Sequence, residues 1–175
     1  MILTNRLILR TWKDSDLHPF IEMGKDPEVM RFFPNTLTEE ETQANFQRIQ
    51  IHFQTHGFGP YVLELKKNQE FIGFTGLFVL DFEASFAPCV EIGWRLKKQA
   101  WGFGYATEAA KECLQYGFNS LHLESIYSFT SILNTPSENV MKRIGMTQVG
   151  TFAHPKLESD HPLSKHLLYQ IEKPL

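Results

Sequence analysis

The stretch QAWGFGYATEAAKECLQYGF, residues 99–118, sets Gly102 and Gly104 two positions apart at the mouth of a helical pattern. From Gly104 to Phe118 the small residues Ala106, Ala110, Cys113 and Gly117 fall on one stripe at helical spacing, which suits a helix lying close on a sheet. Glycines in front of such a helix either turn the chain or let an anion approach the unpaired N–H groups of the first turn. Two familiar nucleotide motifs are excluded by the letters. Thr107 stands where a dinucleotide fingerprint needs its third glycine, and GYAT lacks the Gly-Lys-Ser/Thr of a P-loop.

Working outward, CVEIGWRL (89–96) reads as a strand running into the motif, and YVLELK with EFIGFTGLFVL, joined across KNQ, as an antiparallel hairpin before it. Upstream, Thr38 and Glu41 form a capping box, Phe46, Ile49 and Phe53 share a face, and Gly57 stands where a helix stops. RLILR (6–10) is a strand, Asp14 or Ser15 caps a short helix to about Met23, and Asp26-Pro27 starts a turn. Downstream, SIYSF is a strand, and Thr135, Pro136 and Glu138 read as a second capping box with proline at the first helical position. That helix stops at Gly145, and MTQVGTF and HLLYQIE finish the chain as strands. The fold class is therefore α/β (α+β): a mixed, mostly antiparallel central sheet with helices on both faces, in a single domain over residues 1–175.

Composition narrows the partners. The chain has 175 residues, 42% hydrophobic and 21% charged, with a formal net charge of −3, and a mean hydropathy of −0.25 with a pI near 6.2. This balance gives no basic field for nucleic acid. The apolar runs are too short for a membrane span, and MILTNRLILR lacks the core of a signal peptide, so the expectation is a cytoplasmic protein with no membrane partner. Cys89 and Cys113 carry no metal spacing and read as reduced packing residues. His154, His161 and His166 flank a proline-containing loop without further ligands, so they read as surface or loop histidines, and no metal is expected.

EIGWRL, WGFGYATEA and NTPSENVMKRIGM together resemble the Gcn5-related N-acetyltransferase (GNAT) superfamily, in its RimJ/RimL-like branch, with the order of elements matching over essentially the whole chain. The resemblance implies the GNAT acyl-CoA N-acyltransferase fold, with acetyl-CoA as co-substrate. Its pyrophosphate would lie on the N–H groups of Gly102, Phe103, Gly104, Tyr105, Ala106 and Thr107, and its pantetheine arm would pair like an added strand with WRL. By the same pattern the Trp94 N–H polarises the thioester carbonyl, the Leu96 N–H bonds the pantetheine, and Asn134 either contacts the cofactor or caps its helix. Three departures stand out: in the preferred register Trp101 replaces the signature's first Gln/Arg, Gln99 giving a second register with Gly102 and Gly104 as its small positions; Met146 replaces a phenylalanine; and Met141 occupies the place of the tyrosine that serves many relatives as general acid. Ser137 is the remaining candidate acid, or the thiolate leaves unaided.

An alkylamine acceptor with a pKa near 10 must lose a proton before it attacks a thioester. Glu91, in an apolar run of the strand leading to the motif, is the candidate base; its alternatives are an ion pair with a neighbouring strand or a face turned from the cleft. Phe32 and Phe33 in RFFPN are candidate acceptor contacts, while Asp81 and Glu83 in DFEASFAP read as either a cation lure or a solvated loop. Lys97 and Lys98 either assist the phosphates or solvate a turn. The partner expected is an amine acceptor, a protein N-terminus on the RimJ/RimL resemblance or a small amine such as a polyamine or aminoglycoside, bound by a monomer or homodimer. A non-catalytic acyl-CoA-binding module is the rival of another class.

Overall fold

The computed structural model describes residues 1–174. In chain order its elements are β1 (Ile2–Leu3), β2 (Leu7–Arg10), α1 (Leu17–Lys25), α2 (Glu39–His56), β3 (Pro60–Leu65), β4 (Phe71–Leu80), β5 (Cys89–Leu96), α3 (Tyr105–Asn119), β6 (Ser125–Ser131), α4 (Thr135–Arg143), β7 (Thr147–Ala153) and β8 (Lys165–Glu172). The strands form one sheet in the order β1-β2-β3-β4-β5-β6-β8-β7. Every neighbouring pair is antiparallel except β5 and β6, which run parallel and meet in register only at Glu91 and Tyr127. Beyond that rung the two strands part, and the edge of β5 from Ile92 to Leu96 has no strand beside it.

Side-chain alternation along β4 and β5 sorts the core into two layers. Leu77, Ile92, Leu96 and Ile126 pack under α3 and α4 with Ala109, Ala110, Cys113 and Met141. Phe74, with Phe71 and Val62, packs under α1 and α2 with Phe20, Met23, Phe46 and Ile49. Each leucine- or isoleucine-sized side chain buried in this way contributes about 1.5–3 kcal/mol. The small stripe on α3 has the expected use: a Cβ at Gly117 would lie 2.8 Å from Ile126 Cδ1. Opposite, on the α1–α2 face, Gly76 and Gly93 pair across β4 and β5. They leave a rung of bare backbone flanked by Phe74 with Arg95 on one side and Phe78 with Glu91 on the other. A Cβ at Gly76 would lie 2.2 Å from the Gly59 carbonyl oxygen, whereas one at Gly93 would meet only the Phe78 ring at 3.5 Å.

The α2 boundaries are those the sequence predicts: Thr38 Oγ1 accepts from the Glu41 N–H, the Glu41 carboxylate accepts from the Thr38 N–H, and Gly57 closes the helix at φ 75°. The α4 boundary differs. Asn134, not Thr135, is the N-cap, accepting from the Ser137 N–H at 3.2 Å, so Pro136 falls one place deeper than expected. No capping box forms, because Glu138 accepts instead from the Tyr169 hydroxyl at 2.8 Å and from Lys142 Nζ at 2.7 Å. At the start of the chain Asp14 opens a 3-10 turn, and the capping carboxylate is that of Asp16, which accepts from the Lys13 N–H at 2.7 Å rather than Asp14 or Ser15 capping the helix. Strand β1 has no counterpart in the sequence reading; two residues carry no period, and they are extended because they pair with Leu9 and Ile8 of β2.

One ionic cluster ties β2 to β3. Arg10 donates through both Nη atoms to Asp16 at 2.8 Å and through Nε to Glu64 at 2.6 Å. Burial pushes the Asp16 carboxyl up, but the Arg10 and Lys13 donors outweigh it and hold the group below its usual range.

Candidate active site

Both glycines of the opening stretch adopt left-handed backbone, at φ 82° for Gly102 and 79° for Gly104. A side chain there would be strained by conformation rather than by crowding, since nothing lies within 4 Å of a Cβ at Gly102 and only Arg6 Nη2, at 3.7 Å, near one at Gly104. Gly104 is the N-cap of α3 and supplies no side-chain bond; the first intrahelical bond runs from the Glu108 N–H to its carbonyl. The N–H groups of Tyr105, Ala106 and Thr107 are thus the free donors that a helix N-terminus presents. Phe103 is 58% exposed and stacks on Tyr105. Glu108, which the sequence reading passed over, locks this end in place, accepting from Arg6 Nε at 2.7 Å, the Arg6 N–H at 2.8 Å and Thr4 Oγ1 at 2.5 Å.

The open edge of β5 runs directly into this turn. On that edge the Ile92 carbonyl accepts from Ser128 Oγ at 2.9 Å and the Leu96 carbonyl accepts from Trp101 Nε1 at 3.0 Å. Strand alternation puts the N–H and C=O of Trp94 between them, facing the same gap. Trp101 therefore has a structural task, fixing the end of β5, and Arg31 lies 5.3 Å over its ring. Lys97 does not face this edge; its Nζ is 3.1 Å from Glu70.

Glu91 lies on the α1–α2 face at the rung where β5 and β6 close, beside the bare glycine pair. Desolvation pushes its carboxyl up to about 8. Neither alternative ion pairing nor a neighbouring donor holds it down. Phe33, 42% exposed, sits on the same face with the Arg95 guanidinium 4.4 Å over its ring, and Phe32 lies under Arg31 at 4.8 Å. The structure thus brings Glu91 and Phe33 to one side of β5 and the open N–H groups to its edge.

The α4 candidates fare differently. Asn134 spends its side chain on the cap and on a 2.9 Å bond from Nδ2 to Thr130 Oγ1, which is the capping alternative. Ser137 is half-buried in the first turn. Met141 is 1% exposed and belongs to the core, so no acid stands in the tyrosine's place. Asp81 and Glu83 are exposed, as a solvated loop requires.

Of the histidines expected at the surface or in a loop, His154 does follow β7 in the loop while His166 lies within β8, and neither is exposed. They are half-buried with ring centroids 4.9 Å apart, among Phe82, Phe129 and Phe152. The reason is non-local: β7 and β8 bring them together under the 81–88 loop. Desolvation, with His166 and Lys156 nearby, pushes His154 down to about 4, and desolvation lowers His166 and His52 as well. His52 Nε2 accepts from the Val79 N–H, so its Nδ1 donates to the Phe58 carbonyl and the neutral ring clamps α2 to β4. These histidines bind protons more readily unfolded, so their stability is full above the unfolded value of 6.5 and is lost as pH falls below it. Glu91 acts in the opposite sense, its stability being full below the unfolded value of 4.5 and lost as pH rises from there through about 8. Thermal melts from pH 5 to 9 are expected to peak at about pH 6.5, where the histidine gain ends, and to decline from there to about pH 8, the alkaline decline shrinking in Glu91→Gln.

No group of His, Cys, Asp and Glu that could hold a metal occurs among the described residues. Both cysteines are free, Cys113 buried and Cys89 half-buried. Among the same residues no helix is long and apolar enough to cross a membrane.

Residues 6–147 match the acetyltransferase (GNAT) domain family. The chain is 31% identical over 151 residues to the uncharacterized N-acetyltransferase YnaD of Bacillus subtilis, covering 86% of this chain and 85% of that protein. A GNAT-family acetyltransferase structure from Bacillus anthracis superposes with a TM-score of 0.79 at 27% identity, covering 98% of both chains. Spermidine N-acetyltransferase from Vibrio cholerae, solved with CoA and spermine, shares the fold at a TM-score of 0.76 and 17% identity, over 95% of both chains. With its parted strands, its uncapped helix after a double-glycine turn and this family match, the chain belongs to the GNAT family and is an acetyl-CoA-dependent N-acetyltransferase.

Proposed function

We propose that this chain is a single-domain, cytoplasmic enzyme that acetylates a primary amine, a protein N-terminal amine on the RimJ/RimL-like pattern of GYATEA, by direct attack in a ternary complex. The observation that carries the reading is the open edge of β5 ending at the uncapped N-terminus of α3, with Glu91 on the adjoining face. An amide-rich chain ending in phosphates finds strand partners and an anion site in one continuous groove. The residues present suit acetyl-CoA: the N–H groups of Gly102 to Thr107 would take the pyrophosphate, the Leu96 N–H the pantetheine, and the Trp94 N–H the thioester carbonyl. The acetyl thioester is the electrophile that acetyl-CoA supplies.

Glu91 accepts a proton from the acceptor ammonium, directly or through one water, leaving a neutral nitrogen. That nitrogen forms the new C–N bond as the C–S bond breaks, the thiolate leaves with the bonding pair, and the second proton of the nitrogen passes to the departing sulfur to give the free thiol. A thiol pKa near 8.5 lets it depart without a strong acid, which fits a buried Met141 in the tyrosine's place. Ser137, in the first turn of α4, is the candidate proton donor to the thiolate. Asn134 acts by fixing the first turn of that helix.

The test is thiol release from acetyl-CoA with basic N-terminal peptides, polyamines and aminoglycosides, run on the wild type and on Gly104→Val. Peptides turning over best supports the proposal, and polyamines or aminoglycosides turning over best moves the acceptor to small amines. Acetyl-CoA binding with no thiol release across the panel would leave a non-catalytic acyl-CoA-binding module. Gly104→Val is expected to raise the acetyl-CoA KM at least tenfold, because a β-branched side chain disfavours the φ of 79° that aims these N–H groups. An unchanged KM would remove the pyrophosphate cradle.

A further inference from the structure

Arg95 is the charged side chain that none of this chemistry uses. It lies on the α1–α2 face of β5, two residues beyond Gly93 and four beyond Glu91, so acid, bare backbone and base follow one another along a single face. Its Nε is buried without a hydrogen-bond partner, and it enters none of the ion pairs among the described residues. Its company is aromatic: the guanidinium lies 4.4 Å over Phe33 and 5.5 Å over Phe74. Ring faces attract a cation, but they leave N–H donors unsatisfied. Desolvation lowers its pKa to about 10, a sign of how poorly this charge is compensated. Arg10, the other half-buried arginine among the described residues, contrasts with this, having carboxylates on all three nitrogens. A half-buried charge whose Nε has no partner is costly to keep, and an anion entering beside it would remove that cost.

We infer that Arg95 anchors a carboxylate of the acceptor, so that the acceptor is an amine that also carries a carboxylate, laid across the Gly76–Gly93 rung with its nitrogen toward Glu91. A planar guanidinium matches a carboxylate by paired N–H donors. Arg31, next in sequence to Phe32 and Phe33, is already turned to Glu28 at 3.9 Å and to Trp101. At Gly93 a Cβ would meet only the Phe78 ring, at 3.5 Å, so this half of the rung leaves the linking atoms room that a side chain would fill. A polyamine would bring a second positive charge against Arg95. The inference rests on the acetyltransferase reading for its amine, but the anion site stands on Arg95 alone.

The experiment compares ω-amino acids of four to eight carbons with their amides and with diamines of equal length, alongside peptides with Asp or Asn at the second position. Thiol release is measured for wild type, Arg95→Met and Arg95→Lys. Wild type is expected to favour the acid over its amide by about tenfold or more in kcat/KM, the gain expected of a charge-assisted pair. Arg95→Met should bring that ratio to near one without changing the acetyl-CoA KM, and Arg95→Lys should keep part of it. Preference for free amino acids over Asp peptides, or the reverse, identifies which kind of carboxylate is read. An unchanged ratio in Arg95→Met, a wild type that favours diamines, or a raised acetyl-CoA KM with the ratio intact would each overturn the inference. If no amine releases thiol, the transferase reading fails separately. Calorimetry of the same acids on CoA-loaded wild type and Arg95→Met then decides the anchor: tenfold weaker binding to the variant upholds it, and equal binding refutes it.

Discussion

Glu91→Gln is expected to lower kcat by about 10²–10⁴-fold at pH 7, the usual contribution of a positioned general base. The amide keeps the shape of the side chain and the β5–β6 rung but cannot accept the ammonium proton. With an alkylamine acceptor, wild-type kcat/KM should rise through an inflection near the raised carboxyl value of about 8. The variant should keep only the limb of the free amine, near a pKa of about 10. The acetyl-CoA KM should not move, since Glu91 lies on the opposite side of β5 from α3. Full turnover of Glu91→Gln at neutral pH would show that solvent takes the proton unaided.

Arg10→Met should be the most damaging single change to the fold. It leaves Asp16 and Glu64, 3% and 8% exposed, without the cation that both face. Removing one member of a buried ionic cluster costs about 3–5 kcal/mol, a large part of a total stability of about 5–15 kcal/mol. For a chain of this size that corresponds to a fall in Tm of about 10 °C. Neutralising the partners in Arg10→Met/Asp16→Asn/Glu64→Gln should recover much of the loss, which melting curves of the two variants would show. The deficit of the single variant should also narrow as pH falls: the Asp16 contribution is complete above its unfolded value of 3.8 and fades as its depressed folded pKa is approached. A single variant that melts with the wild type would mean that the cluster only breaks even against its desolvation.

What could be read before folding was whatever adjacent residues determine. The Thr38–Glu41 box, the Gly57 stop and the small stripe of α3 depend on neighbours within a few positions, and each sits where its pattern puts it. The double-glycine turn belongs here too, because the demand for φ near 80° is local. What escaped depends on distant parts of the chain. Residues 10, 16 and 64 meet through a strand pair and a turn, so no spacing announces their cluster. His154 and His166 are loop-like in sequence and become half-buried only when β7 and β8 align. The helix start at Asn134 was misplaced by one residue because Thr135 and Glu138 also satisfy the box pattern, and only the pull of Tyr169 and Lys142 on Glu138 decides against it. At the site, the N–H groups were legible as a motif and Glu91 as a type of residue. Its position at the closing rung, and the unpaired Arg95 on the same face, required the sheet.

The glycine pair has a bearing on how this enzyme can change over generations. Its two members are not equally free to mutate: an alanine at position 76 would drive a methyl group into the backbone of β3, whereas one at position 93 would rest against the edge of the Phe78 ring. Drift toward a narrower acceptor can therefore proceed by single substitutions on β5 alone, while β4 stays fixed as inherited. Lineages that diverge in acceptor preference should record that history at position 93 and keep glycine at 76.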